Sequence, residues 1–258
     1  MFKKIRVLLL LLVLLVVSVD SYLSRSRSMD WQDELWVVIY PINADGSAES
    51  ERYIAQLRTD DFADIEHFFQ REAVKYALPV EKPIKVLLAP EQPSMPPEVP
   101  ENPSIVDSVV WSLQMRYWSW RYENWDGPSP DIRIYLNLFS PNYPHALRHS
   151  LGLQKGLIGL VNGFADEHQQ GQNNIIAAHE LLHTVGASDK YDPATNFAIW
   201  PDGYAEPTRV PRFPQRKAEI MAGRLQVSPS IAVLPPDLTH VTIGAATAIE
   251  INWLRAPN

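Results

Sequence analysis

The chain has 258 residues, of which 46% are hydrophobic and 21% charged, and a formal net charge of −7. That balance supports a folded core and excludes a disordered chain, and the lack of a basic block beyond the N-terminus excludes a nucleic-acid partner, because phosphate binding needs clustered Lys and Arg. Cysteine is absent, so disulfides, thiolate metal sites and a cysteine nucleophile are excluded, and any metal must rest on His and carboxylates.

Lys3, Lys4 and Arg6 precede an apolar run over residues 7–17 that continues through Ser18 and Val19. A positive stretch followed by a Leu/Val run of this length predicts that residues 1–28 are a signal peptide or a signal anchor. No small-residue cleavage site follows, and the basic end is expected to stay in the cytoplasm. The expected location is therefore extracytoplasmic. The chain would be held at the inner membrane by a transmembrane N-terminal segment, or be secreted or periplasmic if that segment is cleaved.

Residues 35–40, LWVVIY, predict a short buried strand stopped by Pro41 and the Asp45-Gly46 turn. Over residues 49–76, Ile54, Leu57, Phe62, Ile65, Phe69 and Ala73 recur at helical spacing, with Asp60 placed to cap a break. Residues 84–88 predict a second strand. The prolines of 90–103 forbid a helix or a central strand there and imply a long extended loop. Trp111, Met115, Trp118, Tyr122 and Trp125 share one helical face, expected to pack on a sheet. Ile132, Ile134, Leu136 and Leu138 alternate with polar or amphipathic residues as in a half-buried strand, and residues 157–161 predict another.

Next comes HELLHTVGASDKYD, residues 179–192. Asn173 or Asn174 would cap a helix whose apolar stripe is Ile175, Ala178, Leu182 and Val185. His179 and His183 lie one turn plus about 40° apart, so both imidazoles leave the same side and can meet one ion. Glu180 sits about 100° round from His179, able to reach a water on that ion without ligating it. A continued helix would carry Asp189 about 15 Å from His179 along the axis, whereas a break at Gly186 brings it back as third ligand. Asp192 and Glu206 are competing third carboxylates. Tyr191, two residues past Asp189, is placed either to donate to a developing oxyanion or to pack in the loop. His145 and His149 are also i, i+4 but have no glutamate in register, and are expected at the surface.

Downstream, KAEIMAGR places Met221 in a tight apolar turn, and residues 238–254 predict a closing helix. With HExxHxxGxxD, this turn resembles the metzincin superfamily of zinc peptidases, most closely its snapalysin-like branch. The resemblance implies an α+β, zincin-like catalytic domain over residues 29–258. A twisted sheet with helices would lie above a loop-rich lower part, with Zn²⁺ held by His179, His183 and Asp189. It implies hydrolysis of a protein or peptide substrate, with Glu180 as general base and Met221 beneath the metal. The other readings are a zinc amidase acting on a cell-envelope component and a non-catalytic, metal-containing envelope-binding protein.

Overall fold

The computed structural model describes Arg6, residues 29–101 and residues 104–255. Strands β1 (Leu35–Asn43), β2 (Ile84–Leu88), β3 (Ile132–Phe139), β4 (Leu151–Leu153) and β5 (Ile158–Phe164) form one sheet in the order β2-β1-β3-β5-β4. β1, β2, β3 and β5 run parallel and β4 is an antiparallel edge paired to β5. The helices are α1 (Ala48–Gln56), α2 (Ala63–Lys75), α3 (Ile105–Arg121), α4 (Gln170–Thr184) and α5 (Ala245–Glu250). The chain is thus a mixed α/β protein built on a mostly parallel sheet, compatible with an α+β class.

Both faces of that sheet are covered, as parallel sheets require. Val37, Ile39, Ile134, Leu136 and Val161 pack with residues of α1, α2 and α4, whereas Val38, Tyr40, Tyr135, Ile158 and Leu160 pack under Trp111, Met115 and Trp118 of α3. This corrects the half-buried reading of β3. Tyr135 is fully buried, with its ring 4.8 Å edge-on from Trp118 and its hydroxyl 2.7 Å from Ser119 Oγ. Alternation in the sequence reflected Tyr135 facing a second helix layer rather than water, while Asn137 is buried with its amide donating to Asn162 Oδ1 at 2.9 Å. The expected α3 stripe is buried at Trp111, Met115 and Trp118, but Tyr122 caps the helix and Trp125 lies beyond it.

β1 also runs past Pro41, which was expected to stop it. Pro41 O accepts from Gln92 N at 2.8 Å on the side where Ile39 O accepts from Ala89 N. The missing N–H therefore points to the β2 side after β2 has ended, and no ladder bond is lost. The break between α1 and α2 is a 3₁₀ turn over Thr59–Phe62, closed by Arg58 N donating to Asp61 Oδ2 at 2.7 Å, with Asp60 inside the turn.

The C-terminal part consists of short pieces. β6 (Ala218–Glu219) pairs with β9 (Val241–Thr242), and β7 (Leu225–Ser228) with β8 (Ile231–Val233). Residues 238–254 are a 3₁₀ turn, β9 and α5 instead of the one helix expected. Asp237 Oδ1 accepts from Thr239 N at 2.8 Å, a local bond that starts the 3₁₀ turn, and β-branched Val241 and Thr242 then pair as strand. Glu72 on α2 anchors this region, its buried carboxylate accepting from Thr242 Oγ1 at 2.7 Å and Ile243 N at 3.0 Å.

The transmembrane expectation is corrected: among the described residues no helix is long and apolar enough to cross a membrane. Residues 7–19, on which the signal-peptide and anchor readings rested, lie outside the described residues.

Candidate metal centre

α4 lies along β5 and against the edge strand β4. A Cβ at Gly152 would stand 2.4 Å from Glu180 O and 2.4 Å from His183 Cβ, so only glycine lets this part of α4 come so close to the edge strand. The helix begins at Gln170, earlier than the expected Asn173 or Asn174 cap. Both asparagines are buried inside it. Asn173 Nδ2 donates to Phe164 O at 2.9 Å and Asn174 Nδ2 to Asp61 O at 2.9 Å, fixing the helix to β5 and to the 3₁₀ turn. They work as tertiary ties rather than as a cap.

At the other end Gly186 adopts φ +109°, which a side chain would oppose. Gly186 N donates to His183 O at 3.1 Å and Ala187 N to Leu182 O at 3.0 Å, closing the helix and reversing the chain. The loop beyond is held firmly. Buried Lys190 donates from Nζ to Glu250 Oε2 at 2.7 Å and to Ser188 O at 2.8 Å, and its backbone N donates to Met221 O at 2.9 Å.

The reversal brings Asp189 Oδ1 within 3.2 Å of His179 Nε2 and 3.2 Å of His183 Nε2, and the two Nε2 atoms are 3.0 Å apart. His179 Nδ1 donates to Ile220 O at 2.9 Å and His183 Nδ1 to Ala187 O at 2.8 Å. Since a carbonyl only accepts, both protons are assigned to Nδ1, and the Nε2 lone pairs converge on the carboxylate oxygen. Three acceptors facing one another repel unless a cation lies between them. A proton relieves one edge of the triangle at a time, whereas a metal ion satisfies all three. Tetrahedral bonds of about 2.0–2.1 Å place ligands about 3.3–3.4 Å apart, close to these separations. His179, His183 and Asp189 are therefore a cluster able to hold a metal ion.

The electrostatics agree. When a proton rather than a metal ion supplies the cation, an Nε2 becomes a donor: burial would raise Asp189, but hydrogen bonds from His179 and His183, with the attraction of both rings, then hold its carboxyl well below the usual carboxylate range. His179 is opposed by burial yet raised by its bond to Asp189 and the charge of Glu180. Glu180 is 5% exposed, and burial pushes its carboxyl up against the attraction of His179 and His183. Its Oε2 is buried with no hydrogen-bond partner among the described residues. An unpaired buried carboxylate oxygen is costly, and none of the described residues offers it a partner.

Met221 is fully buried. The carbonyl before it, Ile220 O, holds His179, and its own carbonyl holds the Asp189 loop through Lys190. The turn is pinned by buried Glu219, which accepts from Ala222 N at 3.1 Å, Gly244 N at 3.0 Å and Thr247 Oγ1 at 2.7 Å. Met221→Leu nearly conserves volume and leaves these backbone contacts untouched. It is expected to cost less than about 1.5 kcal/mol in urea unfolding and to keep its metal content by elemental analysis.

A cavity of about 270 Å³ opens beside the cluster, lined by His179, Glu180 and Tyr191 and by residues given no site role in the sequence reading, among them His149, Asn196 and Arg224. Tyr191 is set by an isolated bridge to Ala198, and burial, then the Asp189 and Glu180 carboxylates, push its hydroxyl up, so it stays protonated. His149 is exposed as expected, yet it also faces this cavity, because β4 pairs at the sheet edge above α4. No local pattern encodes that pairing. Arg224 did carry a signal, since it stands three residues from Met221. The competing carboxylates are placed elsewhere: Asp192 Oδ1 accepts from Ala194 N at 2.7 Å, and Glu206 pairs with Arg209 at 3.4 Å and Arg216 at 3.7 Å. No family model and no curated protein matches the chain, so the reading of this site rests on its own geometry.

Proposed function

We propose that the chain is a zinc-dependent peptidase of metzincin type, exported from the cytoplasm, that hydrolyses peptide bonds at the His179–His183–Asp189 centre. One observation carries the proposal. Three donor atoms converge at 3.0–3.2 Å, next to a buried carboxylate oxygen that has no hydrogen-bond partner among the described residues. A purely structural site has no use for that carboxylate. Two imidazoles, a carboxylate and an open fourth position beside a cavity suit zinc in a catalytic rather than a structural role. Zinc bound there would supply Lewis acidity, bringing the pKa of a coordinated water to about 7.

The residues divide the remaining work. Ile220 O and Ala187 O keep the two Nε2 lone pairs aimed at one point. Glu180 takes a proton from the attacking water as its oxygen bonds to the substrate carbonyl carbon. The same carboxyl then returns the proton to the amide nitrogen as the C–N bond breaks. Burial raises the Glu180 carboxyl, which suits a group that must both accept and release a proton near neutral pH. Tyr191 lines the same cavity with a protonated hydroxyl, suited to donate a hydrogen bond to the oxygen that gains charge.

Two measurements test the reading. Purified protein should contain one zinc per chain, and His179→Ala should not. A panel of peptides and cell-wall fragments should then show cleavage of peptides that stops with a chelator and returns with zinc. Metal-loaded protein that cleaves only the cell-wall amides would make it an amidase instead. For Tyr191→Phe, loss of one oxyanion donor predicts a kcat decrease of roughly 10²–10³-fold with zinc content unchanged. An unchanged kcat would assign Tyr191 to loop packing.

A further inference from the structure

The lining of the cavity beside the metal centre includes a cationic residue, Arg224, that no described residue engages. The guanidinium of half-buried Arg224 makes no hydrogen bond or ion pair with any described residue. By contrast, Arg71 donates to Leu238 O and Val241 O, Arg133 pairs with Glu123, and Arg209 pairs with Glu206. Arg224 instead lines a cavity whose walls include Ile176, Leu234 and Pro235, and which also reaches His179 and Glu180. Among the described residues Glu180 is the one carboxylate on that lining, and the reaction needs it free. Apolar walls weaken the hydration of a charge and strengthen its attraction for a counter-charge. The planar fork of five donors matches a carboxylate with two parallel bonds.

We propose that Arg224 makes this cavity a carboxylate-binding subsite, selecting substrates that carry an acidic group next to the scissile bond. The group is either an Asp or Glu side chain or a free C-terminal carboxylate. The inference rests on the hydrolytic reading for the bond that is cut, but not for the binding of the carboxylate itself. The chain as a whole works against an acidic substrate, since its net charge is −7. The preference must therefore be local and depend on this one side chain.

The test uses matched peptides with Glu, Gln or Lys at each position flanking the cleaved bond, and a parallel pair ending in a free acid or an amide. Wild-type protein should favour the acidic member by roughly 10- to 100-fold in kcat/KM, as expected for a hydrogen-bonded charge pair. The ratio should fall to near one in Arg224→Gln, recover in part in Arg224→Lys, and turn towards Lys peptides in Arg224→Glu. The Glu/Gln pair and the acid/amide pair separate the two sources of the carboxylate. Fluorescence anisotropy on chelator-treated protein provides a readout without turnover: labelled Glu peptide should bind more tightly than Gln peptide to wild type and equally to Arg224→Gln. If no peptide is cut but this binding difference holds, the hydrolytic reading falls and the subsite stands. Peptides cut and bound with the same Glu/Gln ratio in wild type and Arg224→Gln would overturn the subsite and leave the peptidase reading in place.

Discussion

Glu180→Gln is expected to retain zinc at wild-type stoichiometry while turnover falls by at least the 10²–10⁴-fold typical of a lost general acid–base group. The substitution is nearly isosteric and removes only the ability to accept a proton. Glu180 shares a helix with both histidines but lies outside the donor triangle, so zinc has no ligand to lose. Its Oε2 has no partner among the described residues, so no hydrogen bond of that oxygen within the chain is broken. Paired zinc analysis and steady-state kinetics on one preparation check this. Normal turnover with metal bound would remove Glu180 from the mechanism.

Asp189→Ala should weaken zinc binding by more than the roughly 10–100-fold seen when a residue that merely supports a ligand is removed. Two imidazoles are left without their third donor, and the site opens to water. Asp192→Ala and Glu206→Ala should leave affinity near wild type, because those carboxylates are bound to Ala194 N and to Arg209 and Arg216. Chelator competition measures the affinities, and melting in excess zinc gives an independent check. Saturation to about 1,000 times Kd would stabilise wild type by about 4.1 kcal/mol, a gain that Asp189→Ala should largely lack. Loss of metal in Asp192→Ala with retention in Asp189→Ala would mean that the loop binds in another register.

Much of the centre was legible in the sequence because its logic is local. Two histidines four apart on a helix share a side by covalent geometry alone, and Gly186 reverses the chain because its φ of +109° excludes other residues. The third carboxylate followed from that reversal. The burial of Met221 was readable from the short apolar turn around it, whereas a place beneath a metal was only what the resemblance implied.

Elsewhere the one-dimensional pattern pointed the wrong way, and each time a distant segment decided. Alternation in β3 suggested one wet face, but α3 covers it, reaching the sheet only after the proline-rich loop. Asn173 and Asn174 had the chemistry of caps, yet the carbonyls of Phe164 and Asp61 drew them into tertiary bonds. A helix over residues 238–254 was plausible by periodicity, but pairing of β9 with β6 and the bonds to Glu72 and Glu219 favoured shorter pieces.

The sequence by itself determined which residues could bind a metal, and on which side of their helix, because a helical turn brings them together whatever surrounds it. Only the tertiary structure decided what stands around that cluster. His149 comes from the approach to the edge strand, Tyr191 from a loop tied to α5, and Arg224 from the segment after the methionine turn. These positions meet at one cavity because long-range packing closes the sheet edge, α4 and the C-terminal segment on one another, a contact no short stretch of chain encodes.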